Sequence, residues 1–174
     1  MTKTVFPPAL NNATAIKMNI VFLDYDGVVN TLMWDERGDK CGYYYPDDNM
    51  VNNFQAVQWV SEFCEKAGYC IVVTSSWRLC DNYIDCLING GLRDNVPVVG
   101  KTPYLKGSNR ADEIRHYLQT HPEIENYIIF DDLDEMEELS SHQILCNSEV
   151  GFGVLEYKKA MKKHEQWVHD KKVE

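Results

Sequence analysis

The chain lacks any apolar run of membrane-spanning length, and its first residues contain no uninterrupted apolar stretch of signal length. A cytoplasmic protein is the expectation. It has no CxxC pair; Cys41, Cys64, Cys70, Cys80, Cys86 and Cys146 are scattered without regular spacing, which argues against a disulfide framework. Cys64 and Cys70 fall on apolar positions of a helix and a strand and read as core thiols in a reducing compartment. His116, His121, His142, His164 and His169 show no ligand spacing and read as structural or exposed. There is no internal repeat and no low-complexity segment. Basic residues are also short: 17 Lys and Arg stand against 27 Asp and Glu, a formal charge of -10. Such a chain repels phosphate backbones at long range, which excludes strong non-specific nucleic-acid binding but leaves room for a local basic pocket.

What is present is ordinary for one globular domain with a real core: 174 residues, 44% hydrophobic and 25% charged. Its most informative stretch is Ile20-Val21-Phe22-Leu23-Asp24-Tyr25-Asp26-Gly27. A continuous apolar run reads as a strand buried on both faces of a parallel sheet. Asp24 then stands at the carboxyl end, where open α/β sheets place their chemistry. Two acids on a buried edge are costly unless neutralised, and a bound cation is the usual answer.

Residues 1–17, with Pro7-Pro8 and Asn11-Asn12, read as a leader, and 18–174 as a single domain. Strand one covers about 19–23. Residues 30–49, with Tyr43-Tyr44-Tyr45, read as a flap leaning over the strand ends. Asp47, Asp48 and Asn49 offer caps to a helix at 50–67, on which Met50, Phe54, Val57, Val60 and Cys64 recur at helical spacing and which Gly68 stops. Strands follow at 69–73, 96–99, 127–130 and 143–146, with helices at about 81–89, from Asn109, and at about 154–169. The segment 100–108 reads as loop. The last helix is expected to bury Leu155, Met161 and Val168 and to solvate Lys158, Lys159, Lys162 and Lys163. Strands alternating with helices predict a three-layer, Rossmann-like α/β fold with a mainly parallel five-stranded sheet.

These motifs resemble the haloacid dehalogenase-like (HAD) superfamily of phosphatases and phosphotransferases, and within it the small HAD domain of RNA-repair and phage-type proteins. The superfamily motifs span about 20–134, and the looser likeness continues through Glu149-Val150-Gly151-Phe152-Gly153 to Ala160. The hhhhDxDG element is the specific one. The resemblance implies that Asp24 is a nucleophile forming an aspartyl-phosphate, and that Asp26 is the acid/base serving leaving oxygen and water. It implies a hydroxyl at the end of strand two; the spacing to Trp77 selects Ser75, whereas counting from the strand selects Thr74, and Ser75 is the favoured of the two. It implies a cation, for which Lys101, Lys106 and Arg110 compete. Arg110 leads because Arg110-Ala111-Asp112-Glu113-Ile114 fits the subfamily's R-x-x-E-I pattern, while a lysine, as at Lys106, is usual across the superfamily. Trp77-Arg78 fits the subfamily too and would pack beneath the site.

Asp131, with the Asp24 carboxylate, the Asp26 carbonyl and waters, would complete an oxygen-only Mg²⁺ site, and Asp132 would ligate or hold a ligating water. Asp134, Glu135, Glu137 and Glu138 read as solvated or capping acids. No room exists for a large cap, so the site should be open. The implied activity is a Mg²⁺-dependent phosphomonoester hydrolase whose substrate is a nucleotide, a nucleic-acid end or a small phosphomonoester. Trp34, Trp77 and the tyrosine run are available to stack a base. A phosphatase for another metabolite or a phosphoprotein, or a non-catalytic module keeping the fold, are the alternatives.

Overall fold

A computed structural model describes residues 17–31 and 54–173. The expected leader and flap therefore lie outside the described residues, apart from Lys17, Asn30 and Thr31, as do Cys41 and the caps expected at 47–49. The elements run β1 Met18–Leu23, α1 Phe54–Ala67, β2 Tyr69–Val73, α2 Tyr83–Asn89, β3 Val98–Lys101, α3 Arg110–Thr120, β4 Ile124–Asp131, β5 Gln143–Leu145 and α4 Val154–Val173. Short 3₁₀ turns occupy Ser76–Leu79 and Glu137–His142. Among the described residues no helix is long and apolar enough to cross a membrane.

All five strands pair in parallel, in the order β3-β2-β1-β4-β5. The chain winds outward from β1 through β2 to β3, then returns to the other side of β1 for β4 and β5. The order thus reverses between β1 and β4, the place where doubly wound sheets open a crevice at their carboxyl ends. Side chains alternate across β1. Val21 and Leu23 join a core with α1, α2 and α4, whereas Ile20 and Phe22 join one with α3 and the Glu137–His142 turn. Both faces are covered, which is why the run Ile20–Leu23 is apolar throughout.

Several elements depart from sequence expectation. β3 runs two residues further than 96–99 suggests, because the register shifts between Ile71 and Val72 and lets Gly100 and Lys101 pair with Val72 and Val73. The first helical face turns on Ala56, Val57, Val60, Phe63 and Cys64, while Phe54 is exposed and lies over Gly91. In α4 Leu155 is exposed rather than buried; Glu156 and Ala160 face inward, with Tyr157 and Met161 packed beside them. Cys64 is buried and Cys70 half-buried, both as free thiols, and burial pushes the Cys64 thiol above its ordinary range.

Candidate active site

The site is the last rung of the sheet. Leu23 pairs with Val73 on one side and with Phe130 on the other, and Val73 pairs with Lys101. The ladder then continues one residue past the strands. The Asp24 N–H donates to the Phe130 carbonyl (3.0 Å), the Thr74 N–H to Leu23 (2.9 Å) and the Thr102 N–H to Val73 (3.0 Å). Asp131, Asp24, Thr74 and Thr102 consequently form one cross-strand row at the carboxyl edge. By the period-two alternation they follow Ile129, Phe22, Val72 and Gly100, so the row lies on the α3 side of the sheet.

Arg110 reaches this row because it is the first residue of α3. Asn109 caps that helix by accepting from the Asp112 N–H (2.9 Å), and Asp112 returns the bond to the Asn109 N–H. The Arg110 guanidinium donates to both the Asp24 and the Asp131 carboxylates through their Oδ2 atoms. Their Oδ1 atoms are held by backbone donors, Tyr25 N–H for Asp24 (2.7 Å) and Leu133 N–H for Asp131 (2.9 Å). Burial works against the Arg110 charge, but the two carboxylates more than offset it and hold Arg110 above its ordinary range. Burial also raises Asp131, against the pull of Arg110 and with the Asp24 charge adding to it, to about 6. Asp132 is pushed upward first by burial and then by Asp24.

Asp24, Asp131 and Asp132 each offer a carboxylate oxygen within 4.8 Å of the others. Three acids this close, two of them buried, are faced by the single positive charge of Arg110, which leaves the cluster net negative. An oxygen-only anionic set of this kind fits a hard divalent ion. Gly27 brings the third acid in. Its φ is +72°, and a Cβ there would lie 2.2 Å from the Asp132 Oδ2, so only a glycine allows this approach.

Asp26 stands apart from that trio. Its Oδ2 accepts from the Trp77 indole N–H (2.8 Å) and its Oδ1 from the Asn30 amide (3.1 Å). The turn carrying it is closed by the Tyr25 carbonyl, which accepts from Val28, Val29 and Asn30, and by Gly27 N–H donating to Asn30 (2.7 Å). From outside it is braced by Phe152, whose N–H donates to the Val28 carbonyl (2.8 Å) and whose ring packs on Phe130 at 4.2 Å. A Cβ at Gly151 would come 2.5 Å from that same carbonyl. The Gly151-Phe152 pair is thus a brace for the loop that follows β1.

The two hydroxyl candidates separate. Ser75 Oγ accepts from the Trp77 N–H (3.4 Å) and caps the 3₁₀ turn, whereas the buried Thr74 Oγ1 has no hydrogen-bond partner. The cations separate as well. Lys101 donates to the Arg78 carbonyl (2.7 Å) and sits 4.8 Å over the Tyr83 ring; Lys106 is exposed in the loop before α3. Arg78 is buried beneath the row with all five N–H groups used. They donate to the carbonyls of Thr74 (2.6 Å), Ser75 (2.9 Å), Thr102 (3.0 Å) and Pro103 (3.3 Å), and to Glu113 (2.5 Å). The other Glu113 oxygen accepts from Leu105 N–H (3.0 Å). Arg78 and Glu113 therefore tie the ends of β2 and β3 to the first turn of α3, which carries Arg110. Glu137 and Glu138 pair with Arg115 at the surface.

Sequence reasoning gave no role to Asn30 or Thr102, and named Glu113 only as the acid of the R-x-x-E-I pattern without foreseeing its pairing with Arg78. Glu113 carried a signal, since it lies one helical turn from Arg110. Thr102 carried none, because it follows β3 directly only once that strand is seen to run to Lys101.

No curated protein matches the chain. A family profile described as "HAD domain in Swiss Army Knife RNA repair proteins" matches residues 20–156. The match takes in β1 to the start of α4, including every residue of the row and the Gly151-Phe152 brace. It points to a HAD-type hydrolase. With an all-parallel sheet reversing between β1 and β4 and the acids at that reversal, this chain belongs to the family of HAD domains in Swiss Army Knife RNA repair proteins.

Proposed function

We propose that the chain is a Mg²⁺-dependent phosphomonoester hydrolase acting on phosphorylated nucleic-acid ends or nucleotides through an aspartyl-phosphate. The observation that carries this reading is the row Asp131–Asp24–Thr74 with Arg110 bridging its two acids. Asp24, with one oxygen fixed by the Tyr25 N–H, keeps Oδ2 directed at the Arg110 guanidinium, where a phosphoryl group would sit. That oxygen attacks phosphorus as the ester bond breaks. Asp26, oriented by Trp77 and Asn30, gives its proton to the departing alkoxide. In the second step Asp26 takes a proton from water, which attacks phosphorus and frees Asp24. Arg110 and the orphaned Thr74 hydroxyl bind the equatorial phosphoryl oxygens.

HAD domains typically use Mg²⁺. The carboxylates of Asp24 and Asp131 and the carbonyl of Asp26 would hold it, with Asp132 ligating directly or through a water. When bound, the ion offsets repulsion between the acids and the phosphate and orients the phosphoryl group. The nucleic-acid class rests on the family's description. The test is phosphate release with Mg²⁺ from a panel of 3′- and 5′-phosphorylated oligonucleotides, mononucleotides, phosphopeptides and para-nitrophenyl phosphate. Turnover is expected throughout the nucleic-acid members; release from none of the panel would refute the reading.

A further inference from the structure

A cleft of about 380 Å³ opens beside the row, between the end of β3 and the outer half of α3. Its lining includes Arg78, Lys101, Thr102, Tyr104, His116 and His121, and among the described residues no acidic side chain contributes to it. In a chain of net charge -10 that is a local exception. Thr102 joins the cleft to the candidate active site. It closes the row Asp131–Asp24–Thr74–Thr102, two strand spacings from Asp24, or about 10 Å. Its hydroxyl is buried without a hydrogen-bond partner, an uncommon state for a buried polar group and one that a ligand would relieve. Tyr117 also lines the cleft, and its hydroxyl packs close over Gly100, where a Cβ would lie 2.8 Å from it. Tyr104, at 64% exposure, presents an open ring at the mouth. An unpartnered hydroxyl, imidazoles, a lysine and an exposed ring, one nucleotide's span from the phosphoryl position, form a donor-rich and aromatic lining.

We propose that this cleft binds the nucleoside that carries the scissile phosphate, and so selects oligonucleotide ends over small phosphate esters. The base stacks on Tyr104, and the sugar or the adjoining phosphodiester accepts from Thr102, Lys101 and His116. This rests on the phosphatase reading for the position of the phosphate, so the test reads the cleft separately from catalysis. In the full chain, backbone amide shifts are followed by NMR while a 3′-phosphorylated uridine dinucleotide, and separately inorganic phosphate, is titrated in.

The dinucleotide is expected to shift Thr102, Tyr104 and His116 as well as Asp24 and Thr74; phosphate alone is expected to shift only the latter pair. Tyr104→Ala, at an exposed position, is expected to weaken dinucleotide binding on the order of tenfold and leave phosphate binding unchanged. Dinucleotide shifts confined to Asp24 and Thr74, or equal losses for both ligands in Tyr104→Ala, would overturn the proposal. Cleft shifts in a protein that hydrolyses no phosphomonoester would instead retain the subsite and reject the phosphatase reading.

Discussion

At the scale of single residues the arrangement depends on which donor each carboxylate faces. Asp26 differs from the other acids because two neutral N–H groups, from Trp77 and Asn30, hold its oxygens. Trp77→Phe keeps the ring and removes one of them. A lost bond to a charged group is worth about 1.5–3 kcal/mol, so kcat is expected to fall on the order of ten- to a hundredfold. The loss should be larger for alkyl phosphates, whose departing oxygen needs the proton, than for para-nitrophenyl phosphate. Equal losses on both would mean that Trp77 acts through packing alone.

Asp131 gives a prediction in pH. Burial raises it to about 6 in the folded chain, against about 3.9 when unfolded. Between those values the folded protein holds a proton that the unfolded chain has released. This group's contribution to stability is therefore present at low pH and lost as pH rises through about 6. A divalent ion needs the same carboxylate ionised. Mg²⁺ is accordingly expected to raise the unfolding temperature well above pH 6 and to do little below pH 5, as followed by thermal unfolding with and without the ion.

At the scale of elements, the β2 end, the β3 end and α3 are held together by one buried pair. Arg78 and Glu113 have side-chain exposures of 5% and 7%. Arg78→Met removes the partner of a buried carboxylate and of four carbonyls, and is expected to cost about 3–5 kcal/mol in urea unfolding. Adding Glu113→Leu should recover part of that loss, because the unpaired charge is gone; strictly additive losses would show that the two residues act independently.

The elements also show what the sequence made legible. An apolar run meeting two acids announced β1 and Asp24, and a second run meeting Asp131 announced β4, because burial on both faces and a charged edge leave an unambiguous pattern. Asn109 announced the start of α3 through its capping chemistry. Thr102 stayed hidden because the register shift at Ile71–Val72 extends β3 through Gly100 and Lys101, residues that read as loop. The α4 face was misplaced at Leu155 because the buried positions are Glu156 and Ala160, with Tyr157 and Met161 half-buried beside them. Glu156 is tolerated there with its carboxylate accepting from the Gly153 N–H (3.2 Å).

At the scale of the whole molecule, an acidic chain with a cation-lined cleft should hold nucleic acid by few phosphate contacts. Each contact contributes about -0.9 to the slope of log affinity against log salt on duplexes and about -0.7 on single strands. Affinity for a single-stranded 3′-phosphorylated oligonucleotide is expected to fall with a slope no steeper than about -2, measured by fluorescence anisotropy. A much steeper slope would point to an extended basic surface instead. The order of the sheet places Asp24 where the winding reverses, with Arg110 on one side and Thr74 on the other, and the chemistry proposed for the chain depends on that one oxygen of Asp24. The most direct measurement is rapid acid quench of the protein during turnover of a ³²P-end-labelled oligonucleotide with Mg²⁺, followed by peptide mapping. Label is predicted on the peptide carrying Asp24, labile to hydroxylamine and absent from Asp24→Asn, which should not turn over; an unlabelled protein, or full turnover by Asp24→Asn, would contradict the account.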